Sequence, residues 1–250
     1  MAMRFFYGLL ILVWISCGSK KEEIPEIPEL TFKLDSLQEK TCIGESCATL
    51  RLTWPVAEGG EQARKMNQLI REKLESLVQT GEEVLPLDSA KKNYFRNFKS
   101  FKSEFPDSHG GWEIEVEGDV TYQSDSTLSI RFNWMSFLGG AHPNHGKSFM
   151  NFDPQTGDYL NTDRLILDEE KLREQVEKKF REFHQVAEGV SIADDGRFFL
   201  PETGFFLANA MGFQDGKFWV VYVPYEIGPY AMGYTELEFS PEDLKGIVRW

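Results

Sequence analysis

Cysteine, histidine, basic side chains and long apolar runs are all scarce in this sequence, and each scarcity closes off a class of protein. Three cysteines and four histidines in 250 residues leave little from which to build a redox or metal centre. Lys and Arg number 27 against 40 Asp and Glu, a formal net charge of −13. That balance disfavours nucleic acid as a partner and favours cationic ones, chiefly by raising encounter rates. The apolar run Phe5–Ile15 breaks off into Ser16, Cys17 and Gly18, well short of the roughly 20 residues a spanning helix needs. Gly-x-Ser-x-Gly, His-Glu-x-x-His and phosphate-binding glycine loops are missing, so no motif announces hydrolysis or nucleotide chemistry.

What the N-terminus does carry is Arg4, the short apolar run and a small residue before Cys17, the outline of a signal peptide over residues 1–16. Ser16-Cys17-Gly18 resembles the lipobox of bacterial lipoproteins, which implies lipid on Cys17 and attachment to a membrane of the cell envelope. Gly18 stands where an inner-membrane retention signal would place Asp, so the expected address is the outer membrane. Residues 17–47 read as a lipidated N-terminus and tether. The part up to Glu29 is charged and proline-punctuated, and folding is expected to set in near Thr31. Cys42 and Cys47 remain once Cys17 is committed, and a short loop containing Gly44 lies between them. An oxidising compartment permits a disulfide there, which is the expectation.

The rest of the chain divides into two halves, 48–138 and 139–250, in an α+β fold: an antiparallel β-sheet meander with two main amphipathic helices packed on it. Ala48–Trp54 alternates as a strand ended by Pro55. Ala63, Met66, Ile70, Leu74 and Leu77 recur at helical steps over residues 61–79. The Phe/Lys-rich stretch 91–105 has no clean period and reads as helix or loop. Ile114, Val116, Gly118, Val120 and Tyr122, then Leu128, Ile130, Phe132 and Trp134, alternate as a hairpin with one buried face. A third strand is expected over 146–152. A second helix from Asp168 turns Leu172, Val176, Phe180 and Phe183 inward. Strands over 218–223 and 234–239 precede a helix start at Ser240-Pro241-Glu242-Asp243.

Three motifs occur in series: Gly139-Gly140-Ala141-His142-Pro143-Asn144-His145-Gly146, then Asn151 to Leu160, then Pro224-Tyr225-Glu226-Ile227-Gly228-Pro229-Tyr230. In this order they resemble a domain of unknown function, and residues 48–138 resemble the companion domain that usually precedes it. The pair is found in the extracellular part of lysozyme-sensing anti-sigma-V factors, beside some peptidoglycan deacetylase domains, and in stand-alone lipoproteins. The expectation here is the stand-alone architecture, with neither a sigma-binding segment nor a deacetylase domain. The resemblance implies a non-enzymatic binding module without cofactor, with lysozyme, another cationic wall-active protein or cell-wall glycan as the partner.

Tyr225, Glu226 and Tyr230 are the candidate recognition residues, because tyrosine offers a large rigid surface with a polar tip. Their structural alternative is to cap the core and fix the turn. His142 and His145, three apart in a glycine-shaped loop, are the other candidates. A metal-dependent hydrolase of envelope glycans or peptides would use them as ligands, but zinc shows a third ligand as a rule. None is evident, and backbone hydrogen bonding is the favoured role.

Overall fold

The hairpin expected between residues 114 and 134 forms the middle of a five-stranded sheet. The computed structural model describes residues 29–250. In it β1 (Thr31–Ile43) and β2 (Ser46–Glu58) make a first hairpin, and β3 (Trp112–Gln123), β4 (Leu128–Phe137) and β5 (Asn144–Phe152) an antiparallel meander; the strand order is β1-β2-β3-β4-β5. β2 and β3 pair in parallel, Ala48 with Trp112 through Thr53 with Glu117. The sheet is therefore mixed, and departs from a pure meander at that junction. A parallel neighbour requires a crossover, supplied by α1 (Glu61–Val78) and α2 (Leu87–Glu104).

The crossover helices bury one face of the sheet. On α1, Ala63, Met66, Ile70, Leu74 and Val78 are buried at steps of three and four, with Val78 rather than Leu77 closing the stripe. They pack in one cluster with Leu50, Leu52, Ile114, Val116, Ile130 and Phe132 of the sheet. The unperiodic stretch expected as helix or loop is α2, a third main helix. Its inner face is Ala90, Tyr94, Phe98 and Lys102, and the buried Lys102 ammonium is held by the backbone carbonyl and hydroxyl of Ser108. A lysine on the inner face and phenylalanines off it blur the apolar period.

The tether drawn through residue 47 is corrected, since residues 31–43 are strand β1. Its side chains are mostly exposed, and β1 is an edge strand with one neighbour; the onset of folding expected near Thr31 coincides with its start. β2 runs on through Pro55 to Glu58; β3 pairs only as far as Thr53, so no second ladder asks Pro55 for an N–H. Cys42 and Cys47 face each other across the β1–β2 turn and are bridged, with Cα atoms 4.0 Å apart. Cys17 lies outside the described residues.

A second, three-stranded antiparallel sheet, β6 (Ala210–Gln214), β7 (Lys217–Tyr222) and β8 (Thr235–Phe239), packs with α3 (Thr162–Leu165) and α4 (Glu169–His184) around a separate apolar cluster. α4 buries Leu172, Val176 and Phe180. Phe183, expected inward, is 52% exposed; the next residue, His184, turns in instead and packs on Phe180 and Phe198. The helix expected at Ser240 is corrected as well. Ser240 and Asp243 exchange the hydrogen bonds of a cap, but the chain continues from them as a series of turns, with Gly246 at φ +73°.

The two sheets meet at the outer edge of β6, along a polar seam beside a small apolar cluster of Phe149, Ala210 and Val221. Thr121 donates to the Phe213 carbonyl at 2.6 Å, Asn151 Nδ2 to the Met211 carbonyl at 2.9 Å, and the Phe213 N–H to Ser129 Oγ at 3.0 Å. Arg249 ties the C-terminus back through Asp153 at 2.7 Å and the Ser126 carbonyl. Among the described residues no helix is long and apolar enough to cross a membrane.

Candidate functional site

The motif loop between β4 and β5 and the loop after β7 are far apart in sequence and interlock in space. Gly139, at φ +86°, carries the first loop over the Trp112 and Phe101 rings. Gly146 is required where β5 begins: a Cβ there would lie 2.6 Å from the Trp134 ring on the neighbouring strand. These constraints set His142 in the exposed loop and His145 on β5. From the other side, Tyr225 sits at φ +72° and is 56% exposed, Tyr230 opens a 3-10 turn to Met232, and Tyr234 immediately precedes β8.

The rings form one connected array. His142 stacks on Tyr230 with centroids 4.0 Å apart, and His145 lies 5.3 Å from Tyr230 and 5.2 Å from Tyr234. The Pro143 carbonyl is the hub, accepting from the Tyr230 hydroxyl at 3.1 Å and from His142 Nδ1 at 3.0 Å. With the Tyr230 proton spent there, its oxygen accepts from His145 Nε2–H at 3.0 Å. His145 Nδ1 is then bare and accepts from Tyr234 O–H at 2.7 Å. In the neutral ring the network thus places the proton on Nε2. Tyr234 suits the donor role, because burial first, then the charge of Glu236 and the presence of Tyr230, push its phenol up to about 12. By the same count His142 Nε2 is left to accept from Tyr225 at 3.4 Å.

Both histidines therefore spend their ring nitrogens on hydrogen bonds within the fold. Among the described residues no group of three or more His, Cys, Asp or Glu is arranged to hold a metal ion. Glu226 follows its structural alternative: Oε1 accepts from the backbone N–H and side-chain amide of Asn209, both at 2.8 Å, and Oε2 from Val223 N–H at 2.9 Å. It fixes the turn and does not face outward as a free carboxylate. Tyr225 keeps an exposed ring, while Tyr230 is half-buried as the centre of the stack. The Asn151–Leu160 motif is a tight turn. Asp153 Oδ1 accepts from Gln155 N–H at 3.0 Å, and Gly157 passes so close to Gln62 that a Cβ would meet its carbonyl at 2.4 Å.

Sequence reasoning missed Tyr234, Lys147 and Glu236, and with them a cleft beside the array. The cleft, about 240 Å³, lies on the outer face of the five-stranded sheet and is lined by Glu115, Glu117, Asn133, Met135, Lys147 and Tyr234 among others. Lys147 pairs with Glu236 and lies 5.7 Å from the Tyr234 ring centroid. The cleft had a legible signal. The solvent-facing positions of β3 are Glu113, Glu115, Glu117 and Asp119, all acidic at a spacing of two.

Residues 43–145 match a family model described as "Deacetylase PdaC", and residues 162–241 match that of a "Protein of unknown function (DUF3298)". Both domains of the expected pair are present, and the ring array joins them, with His142 and His145 in the first span and Tyr225, Tyr230 and Tyr234 in the second. No curated protein matches the chain in sequence. Solved structures that share its fold include the following two. One is a DUF3298 family protein from Pseudomonas aeruginosa PAO1, at 21% identity over 90% of this chain and 95% of that one, with a TM-score of 0.61. The other is a DUF3298 family member from Bacteroides fragilis NCTC 9343, at 17% identity over 88% and 94%, with a TM-score of 0.62.

Proposed function

We propose that this chain, a PdaC-type domain followed by a DUF3298 domain, is a non-enzymatic binding module held to the cell envelope by lipid on Cys17. Its partner on this reading is lysozyme or another cationic wall-active protein. The observation that carries the reading is the use made of the polar side chains at the joint between the domains. His142, His145 and Glu226, the groups a hydrolase would recruit, are spent on internal hydrogen bonds. What faces solvent is the Tyr225 ring and, along β3, a row of carboxylates that outnumber the two arginines paired with them. Rigid aromatic surface beside acidic charge suits recognition of a basic protein: charge steers encounter and the ring supplies contact area. Calorimetric titration of the purified chain with lysozyme at low and moderate salt is expected to show salt-sensitive binding. Absence of binding at micromolar concentrations removes lysozyme as the partner, and cell-wall glycan is the next ligand to try.

The description "Deacetylase PdaC" for the first domain favours a second reading, a metal-dependent hydrolase of envelope glycans or peptides acting through His142 and His145. It requires both rings to give up their hydrogen bonds to Pro143, Tyr230 and Tyr234. Bound metal by elemental analysis, removed by replacing both histidines with Ala, would favour it over the binding module.

A further inference from the structure

We infer that the cleft on the outer face of the sheet is a docking groove for a single lysine or arginine side chain of a basic partner, with Glu117 as the carboxylate that receives it. Two cross-strand rows build the groove. Register sets Arg51, Glu115, Met135 and His145 side by side in one row, and Thr53, Glu117, Asn133 and Lys147 in the next; residues paired across strands share a face. In the first row Arg51 neutralises Glu115 at 3.0 Å and also reaches Glu113. Arg131 neutralises Asp119 at 3.1 Å. Lys147, at the end of the second row, is taken by Glu236 from the other sheet. Glu117 is exposed and, among the described residues, has neither an ion pair nor a hydrogen bond through its carboxylate.

With Arg51 shared between Glu113 and Glu115 the face is two cations short, and the one carboxylate among them without any cation lies beside the Met135 thioether and the Tyr234 ring. Those two suit the aliphatic stem of a basic side chain while Glu117 meets its charged head. Tyr234 stays a neutral phenol because burial first, then the Glu236 charge, disfavours its anion, and its hydroxyl is turned to His145. At about 240 Å³ the groove falls below the ordinary range of sites for drug-sized ligands, a size that suits one side chain.

The inference rests on the binding-module reading and locates where its partner's charge goes. Its test is the polarisation of fluorescein-labelled tetralysine titrated with the detergent-solubilised full chain, with labelled tetraglutamate as the opposite-charge control. Tetralysine is expected to bind and tetraglutamate not to. Glu117→Gln should weaken binding about fivefold, the scale of a partly exposed ion pair. Asn133→Lys, which sets a cation beside Glu117 on the neighbouring strand, should abolish it, whereas Glu188→Gln and Glu188→Lys, in a loop of the other half, should leave it unchanged. Equal losses at 117 and 188 would reduce the effect to bulk charge and overturn the groove, as would no binding of tetralysine. Lysozyme binding that ignores Glu117→Gln sinks the groove and leaves the module reading standing. Tetralysine binding that depends on Glu117, without lysozyme binding, does the reverse for the lysozyme partner.

Discussion

Single side chains here are defined by what their protons are doing. His145 is held between two phenol hydroxyls, and His184 is set apart by burial. Its ring lies among Phe180, Phe183 and Phe198, with Nε2 2.8 Å from Thr235 Oγ1. Burial first, then the Arg197 charge, lower its pKa from the ordinary 6.5, with Asp195 opposing. In the unfolded chain His184 takes up a proton at a higher pH than in the fold. Its contribution is therefore complete above about 6.5 and is lost as pH falls from there toward the lowered folded value. Urea midpoints measured between pH 7 and 5 are expected to fall, and His184→Gln, which keeps a hydrogen-bonding group toward Thr235, should flatten that slope; an unchanged slope refutes the assignment. The carboxylates held low by partners, Asp168 by Lys171 and Asp195 by Arg197, act in a separate window below 3.8. Little of this was legible in the sequence. His142, His145, Tyr225 and Tyr230 stood out by their motifs, but Tyr234 and His184 gain their roles from partners 89 and 51 residues away.

Elements were easier to read where one period ruled and harder where two demands overlapped. α1, β3 and β4 follow their apolar spacing closely. α2 was obscured by a buried lysine with a local partner, and β1 by the exposure of most of its side chains at the edge of the sheet. The disulfide expected from Cys42 and Cys47 closes the β1–β2 turn. Just beyond it, Gly111 passes so near the Cys47 carbonyl that a Cβ there would lie 2.1 Å away. The bridge thus fixes the end of the hairpin against the start of β3. Replacing both cysteines by Ser should cost at most about 2 kcal/mol, the chain-entropy value for so short a loop. Helical circular dichroism should be retained. A loss well above that figure in urea unfolding would mean that the bridge holds more than the hairpin end.

At the scale of the whole molecule, two large apolar clusters are joined by a seam of hydrogen bonds and by a third, small cluster of Phe149, Ala210 and Val221, and the sequence left open whether the halves share one core. The seam was illegible because its members, Thr121, Ser129 and Asn151, look like ordinary strand residues until β6 is brought against them. Ser129 is fully buried and serves both Asn151 Oδ1 and the Phe213 N–H. Ser129→Ala strands both groups, and a loss of about 2 kcal/mol is expected from urea unfolding followed by tryptophan fluorescence. A change under a few tenths would show that the seam carries no weight. The side chains along β6 have one more consequence. A bare strand edge is a template on which a foreign strand can grow, and β6 presents its outer carbonyls at Met211 and Phe213 already capped. β1, with its outer edge open, carries Lys33, Asp35, Glu39 and Lys40 along its length instead. One edge of each sheet is thus protected, that of β6 sealed by a hydroxyl and an amide and that of β1 guarded by charge, so crowding many copies together finds an easy route to aggregation at neither of these two edges.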